Sequence, residues 1–477
     1  MARTVKLTFM FLFGIAAACS FFRDHRKETK IDSTLPDAFR PLLPPWLYLM
    51  YFGILLLSEI FRKGFLAGAT AIWNGIIPVV LHICLYYCLL ILLLPVLRKY
   101  IRPKACAALW LIPNILYIMG SFPQAGAPLI AISIPGALFS QLPAIWLAGF
   151  GLSFGWQLFS HFRMRKALLD QSRQLFDRDI LSVWENTETT LSIRFPNPAL
   201  YRCSGIQTPI TVGLRKKTMR VLLPCREYTQ EELSLIFRHE LIHIKRRDNL
   251  TKLTLAFFTS LFWFNPLGIL AKRRCSEDLE LACDEAVLRN EPDSLRKRYA
   301  NLLLSTAGND KGFSTCLSAS AKSLLYRIQN TLKPQKRLSG AIAVGLVCAV
   351  LFVTCGALTV SYPCGTASEA IFSDALPEEY RFDVIKLSGD ETRYRCSDPD
   401  ALMRYLETVP LHTMAGAYYA DEADWFHLSY KFPGGHVQIS FSDHKVTVLG
   451  HHSGEMIFRQ YYHEEPFLQN RLMAYVQ

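Results

Sequence analysis

The sequence predicts a multi-pass α-helical membrane protein with an α+β domain inserted between membrane segments and a second, small α+β domain at its C-terminal end. Three observations predict this. Half of the residues are hydrophobic and only 19% are charged, and the apolar residues gather in long uncharged runs. Basic residues crowd some connections between those runs and are missing from others. A polar stretch between two runs holds the pattern His-Glu-x-x-His at residues 239–243.

About 20 apolar residues cross a bilayer. Residues 7–22 follow Arg3 and Lys6 and contain Ala16-Ala17-Ala18, which resembles a signal-peptide cleavage region. The run is either a signal peptide or a retained first span, and the second is preferred because no exported soluble domain follows it. Residues 42–61 are apolar except for Glu59 and make a second weak candidate within residues 1–75. Residues 76–97, 105–122 and 142–160 predict a three-span core over 76–160; the first of these runs has 22 residues and no formal charge. Residues 338–360 predict the last span.

Orientation follows from the loops. Arg98, Lys99, Arg102 and Lys104 follow one run; Arg163, Arg165, Lys166, Arg173 and Arg178 follow another. The connection 123–141 has no charge. The positive-inside rule assigns the basic connections to the cytosol and the uncharged one to the outside. Lys333, Lys336 and Arg337 precede the last span, so residues 161–337 are expected in the cytosol and 361–477 outside. The C-terminal stretch has 9 Lys+Arg against 17 Asp+Glu, a net of −8, so the membrane and cytosolic part carries a net +20 and accounts for the basic balance of the chain. That balance reads as topology and contact with anionic lipid, and excludes direct nucleic-acid binding as its explanation. Among thirteen cysteines only Cys364 and Cys396 fall in the exterior region, where pairing is open to them but is not shown by their spacing; none shows zinc-ribbon spacing.

Within 161–337, Thr229-Gln230-Glu231-Glu232 is a capping box, so a helix is expected from Gln230. Leu233, Ile236, Phe237 and Ile244 make an apolar stripe interrupted by Glu240. A carboxylate on a buried stripe is costly unless it is paired or functional. His239 and His243 are four apart and project from one helix face, so they can share a metal ion while Glu240 sits beside the open position as general base. A catalytic zinc of this kind needs a third protein ligand, and the candidates are Glu277, Asp278, Glu280, Asp284 and Glu285. Residues 253–270 carry no charge; if they crossed the membrane, the histidines and the acidic cluster would be separated. Asn265-Pro266 interrupts the run and favours two shorter helices. The stretch 200–223 reads as β-rich and offers an edge strand to an extended substrate.

His239 through Asp248 (His-Glu-Leu-Ile-His-Ile-Lys-Arg-Arg-Asp), Trp263-Phe264-Asn265-Pro266-Leu267 and Asp278-Leu279-Glu280-Leu281-Ala282-Cys283-Asp284-Glu285 resemble the BlaR/MecR sensor-transducer membrane metallopeptidases. Pro209, Gly213 and Val221-Leu222-Leu223-Pro224 fit the same pattern, and the resemblance covers about residues 76–360. It implies a cytosolic, gluzincin-like α+β zinc protease domain at 161–337. It also implies a zinc ion (Zn2+) held by His239, His243 and Glu280, with Glu240 as general base. Asp284, one turn after Glu280, is then expected to orient a ligand histidine. Asp248 is expected to be structural, and Cys283 to be a small core residue.

The sequence departs from the family prototype after residue 360. The 117 residues that follow are too few for a penicillin-binding sensor. Ser442-Asp443-His444-Lys445 matches Ser-x-x-Lys but has no Lys-Thr-Gly or Ser-Asp-Asn partner. Residues 436–441 and 445–448 read as strands joined by a turn that holds Ser442, residues 398–408 as a helix, and residues 428–432 alternate poorly. Ser442 is therefore not expected to be acylated by a β-lactam. His451, His452 and His463 are expected to be surface histidines.

The expected function is a zinc endopeptidase of the bacterial cell membrane. It relays a signal from an unknown extracellular ligand by cleaving a cytosolic protein, such as a winged-helix repressor, or itself. A membrane quality-control zinc protease and a non-proteolytic sensor that keeps the fold are the alternatives.

Overall fold

The computed structural model describes residues 45–119, 129–191, 200–214, 218–306, 321–333, 337–355 and 357–371, and beyond these chiefly the elements named below. The run 7–22, apart from Ile15 and Cys19, lies outside the described residues, as do Cys396 and Ser442.

Helix α1 (Pro45–Lys63) and helix α2 (Phe65–Tyr100) pack side by side. Helix α2 has 36 residues, about 54 Å at 1.5 Å per residue, and runs unbroken through the expected boundary at residue 75. The expected span at 105–122 is not one regular helix. It forms α3 (Pro103–Leu111), a 3-10 turn (Ile112–Ile115) and a four-residue helix (Leu116–Met119). Pro113, which has no N–H for the helical ladder, sits at the break. Strand β1 (Ile130–Ser133) leads into α4 (Gly136–Asp170). Among the described residues two helices, Phe65–Tyr100 and the stretch Gln141–Asp170 of α4, are long and apolar enough to cross a membrane.

The next unit is small and mixed. Strands β2 (Ser172–Gln174), β3 (Leu200–Cys203), β4 (Ile210–Val212) and β5 (Arg220–Pro224) form a sheet in the order β2-β3-β5-β4, which leaves β4 at an edge. Helix α5 (Arg178–Thr190) starts on an Asp177 cap and packs on α6 (Gln230–Arg246). The predicted capping box opens α6: Glu232 N–H donates to Thr229 Oγ1 and Thr229 N–H donates to Glu232 Oε2. Leu233, Ile236, Phe237 and Ile244 are all buried, and Trp184 meets Phe237 edge-on with ring centroids 5.1 Å apart. Truncating a buried Phe of this kind costs about 3–5 kcal/mol.

The uncharged run 253–270 is two helices, as Asn265-Pro266 predicts. Helix α7 (Asp248–Leu261) ends near Trp146, whose Nε1–H donates to the Leu261 carbonyl at 2.7 Å. Helix α8 (Pro266–Val287) begins with Asn265 accepting from Leu267 N–H and Pro266 at its first turn. Tyr117 stacks on Phe258 and Phe262, with centroids 4.9 and 5.7 Å away, so the α7–α8 hairpin shares one core with the apolar helices. Helices α9 (Asp293–Thr306) and α10 (Ala321–Leu332) complete this unit.

Helix α11 (Ala341–Thr354) occupies only part of the expected last span. The backbone turns extended at Cys355 and enters β6 (Leu358–Thr366), which pairs in parallel with β1. With β7 (Phe382–Leu387), β8 (Arg393–Tyr394), β9 (Pro410–Met414), β10 (Phe426–Phe432), β11 (Gly435–Phe441), β12 (Lys445–His452) and β13 (Glu455–Tyr462), they form a nine-stranded sheet in the order β1-β6-β9-β13-β12-β11-β10-β7-β8. Residues 428–432, which alternate poorly, are strand all the same, because β11 pairs with all of them and β7 with residues 428–430. Helix α12 (Pro399–Thr408) carries the predicted Asp398 cap and buries Leu402 and Leu406 in the core of this sheet. His463 departs from expectation: it is buried, not a surface histidine.

Candidate metal centre

Helix α6 presents His239 and His243 on one face, with ring centroids 4.6 Å apart and Nε2 atoms 3.0 Å apart. Helix α8 brings Glu280 to them. Its Oε2 lies 3.5 Å from His239 Nε2 and 3.4 Å from His243 Nε2. Ligands held at 2.0–2.2 Å by a tetrahedral ion lie about 3.3 Å from one another, so the three atoms have the separation such an ion requires. Of the five acidic candidates, Glu280 is the one that faces both histidines, while Asp278 and Glu277 pair with arginines instead.

The second ring nitrogens are held as well. Asp248 Oδ2 is 2.6 Å from His243 Nδ1. Tyr299 on α9 lies 2.9 Å from His239 Nδ1 and donates its hydroxyl proton to Asp284 Oδ1 at 2.7 Å. Each Nδ1 thereby faces an acceptor, which leaves the Nε2 lone pairs free for a cation. Asp284 thus acts on His239 mainly through Tyr299, its own oxygen lying 3.5 Å from Nδ1. Arg327 on α10 grips Asp284 with two bonds of 2.7 and 2.8 Å.

Glu240 is buried beside the pair, and Thr211 on edge strand β4 donates to its Oε2 at 2.6 Å. Asn249 at the start of α7 donates to the carbonyls of Thr211 and Gly213, which fixes that strand against the site. Burial opposes protonation of His239, but Cys283 and Glu280 outweigh it and raise the imidazole to about 10. Burial pushes the Glu280 carboxyl up; His243 and Lys252 more than offset it and hold it well below the usual range. A gap of 3.0 Å between two Nε2 atoms admits one proton and not two. The donor set therefore suits a single positive centre.

Cys283 is fully buried, as expected of a core residue, and its thiol donates to the His239 carbonyl at 3.5 Å. Its sulfur also lies with the two histidine donors, all within 4.8 Å of one another, so the histidine pair has a thiol as well as a carboxylate beside it. Sequence reasoning missed Tyr299, Arg327, Thr211 and Lys252. Tyr299 and Arg327 stand 60 and 88 residues beyond His239 with no motif of their own.

Part of the chain is similar to known proteins. Residues 135–330 match the family described as BlaR1 peptidase M56. Over this segment the chain is of BlaR/MecR type. It is 26% identical to the regulatory protein BlaR1 of Bacillus licheniformis over 186 residues, which are 39% of this chain and 30% of the relative. It is also 33% identical over 89 residues to the methicillin resistance mecR1 protein of Staphylococcus aureus, covering 18% of this chain and 15% of the relative. It is 29% identical to the regulatory protein BlaR1 of Staphylococcus aureus over 138 residues, or 28% of this chain and 23% of the relative. The chain thus spans under a third of the length of each of these relatives. The matched segment contains the donor set, Glu240, Tyr299 and Arg327, and supports a peptidase.

Proposed function

We propose that this protein is a membrane zinc endopeptidase that carries a signal inward by cutting a cytosolic protein or itself. The observation that carries the reading is the meeting of His239 Nε2, His243 Nε2 and Glu280 Oε2 within 3.5 Å, beside the buried Glu240. His239, His243 and Glu280 would hold a zinc ion, which would supply a Lewis acid for a peptide carbonyl and for water. Glu240 takes the proton of the attacking water and returns it to the leaving amine. Thr211 holds one oxygen of Glu240, so the carboxylate keeps one orientation. Asp248 and Tyr299 keep the histidine Nε2 lone pairs pointed at the cation. Edge strand β4 borders the site and offers backbone groups to an extended peptide.

In this reading residues 161–337 are the gluzincin-like cytosolic protease domain and 361–477 the extracellular one, with residues 1–75, 76–160 and 338–360 in or at the membrane. The loop charges support it. So does the pairing of β1 with β6, which joins the uncharged connection to the C-terminal sheet on one side. The substrate is a cytosolic regulator of the winged-helix repressor kind or the chain itself, and the signal is an extracellular ligand. The regulatory names of the BlaR1 relatives favour signalling over quality control.

Metal analysis of the purified protein, with cleavage of a repressor encoded beside its gene, tests the proposal. One zinc per chain and cleavage lost in Glu240→Gln are expected. Absence of stoichiometric metal, or cleavage undiminished in Glu240→Gln, overturns it.

A further inference from the structure

Helix α8 carries two carboxylates that serve different neighbours. Glu280 faces the histidines. Asp278, two residues earlier and about 200° away around the helix, points to the opposite side and is fully buried. There Arg98 Nε–H and Nη2–H donate to its two oxygens, both at 2.9 Å, and Trp110 Nε1–H adds a third bond at 3.0 Å. Arg98 stands in the last turn of α2, the longest apolar helix, and Trp110 stands on α3. Five residues beyond Glu280, Arg102 reaches Glu285 at 3.6 Å.

A two-pronged guanidinium–carboxylate pair fixes orientation as well as distance. With a third donor on the same carboxylate, the clamp sets both the rotation and the axial position of α8. Glu280 is on that rigid helix less than one turn away, so its reach to the histidines depends on where the clamp holds α8. Nothing in the chemistry of the metal site needs Asp278. The cost of burying both charges offsets much of their attraction, so the clamp contributes orientation more than stability.

We propose that Arg98, acting through Asp278, is the positioning residue for the metal ligand Glu280, so that the end of apolar helix α2 and the metal site move together. This inference rests on the metal reading of Glu280 given above.

The test uses the full-length protein in detergent, loaded with zinc or with cobalt as a spectroscopic probe. The double variant Arg98→Met/Asp278→Leu removes both charges, so no buried charge is left alone. It is expected to unfold cooperatively as the wild type does, to bind zinc about tenfold or more weakly, and to show an altered cobalt absorption spectrum. A folded double variant with wild-type zinc affinity and an unchanged cobalt spectrum would show that the pair only packs helices. Should the double variant fail to fold, Arg98→Lys keeps the charge and loses the two-pronged grip. An intermediate fall in zinc affinity is then expected, and unchanged affinity overturns the proposal. A wild-type protein that binds no metal overturns the metal reading itself, and this inference with it.

Discussion

Asp248 Oδ2 lies 2.6 Å from His243 Nδ1, and it gets there because Arg247 between the two helices adopts a left-handed backbone with φ 57°. That turn ends α6 and starts α7 at once, and it brings the first side chain of α7 back onto the last turn of α6. A non-glycine residue pays roughly 1–2 kcal/mol for this conformation. The chain tolerates it where it aligns a histidine. Burial alone would push the Asp248 carboxyl up; Arg246 and His243 outweigh it and hold it below its ordinary range.

Asp248→Ala should therefore weaken zinc binding by roughly 10- to 100-fold, the usual effect of losing a partner behind a metal-bound histidine. Competition against a chromophoric chelator measures it. Unchanged affinity would mean that the contact serves only the turn between the helices.

Glu240→Gln should retain one zinc per chain and lose about 10²–10⁴ in cleavage rate, because the amide keeps the shape and cannot take the proton. Single-turnover assays on metal-loaded protein read this directly, and near-normal rates would remove Glu240 from the mechanism.

Two groups compete for the role of third ligand, and substitution separates them. Glu280→Ala should abolish stoichiometric zinc, since Oε2 is the oxygen within 3.5 Å of both Nε2 atoms. Cys283→Ala should keep it, because the thiol is packed in the core and donates to the His239 carbonyl. The reverse result would assign the thiol as ligand.

Tyr299→Phe should cost about tenfold in zinc affinity, as it breaks the path from His239 Nδ1 through the hydroxyl to Asp284. Asp284 is still gripped by Arg327 in this variant, so α8 and α10 stay joined and thermal stability should change little. A large loss of stability with normal metal affinity would make Tyr299 a packing residue.

Topology is open to the same kind of check. Reporter fusions ending at Asp310 and Gly416 should report opposite sides of the membrane, cytosolic for the first and external for the second, as the loop charges require. Both reporters on one side would refute the arrangement of spans.

The sequence by itself determined the local parts of this site. A capping box and an apolar stripe specify α6, and a spacing of four puts His239 and His243 on one face, because helix periodicity is a local property. Asn265-Pro266 likewise specified the break between α7 and α8. Tertiary structure decided the rest. Five carboxylates lay within reach as third ligand, and only the rotation of α8 against α6, with Asp278 turned to Arg98 and Glu280 to the histidines, distinguishes them. Tyr299, Arg327 and Thr211 carry no motif, since their contacts, across 60, 43 and 29 residues, arise from packing and not from spacing. Hydropathy found the apolar runs but did not foresee that one of them breaks at Pro113 or that β pairing with β1 takes over from α11 after Cys355. Helix length depends on which backbone partners the folded chain offers, and those partners are fixed only when the distant strands meet.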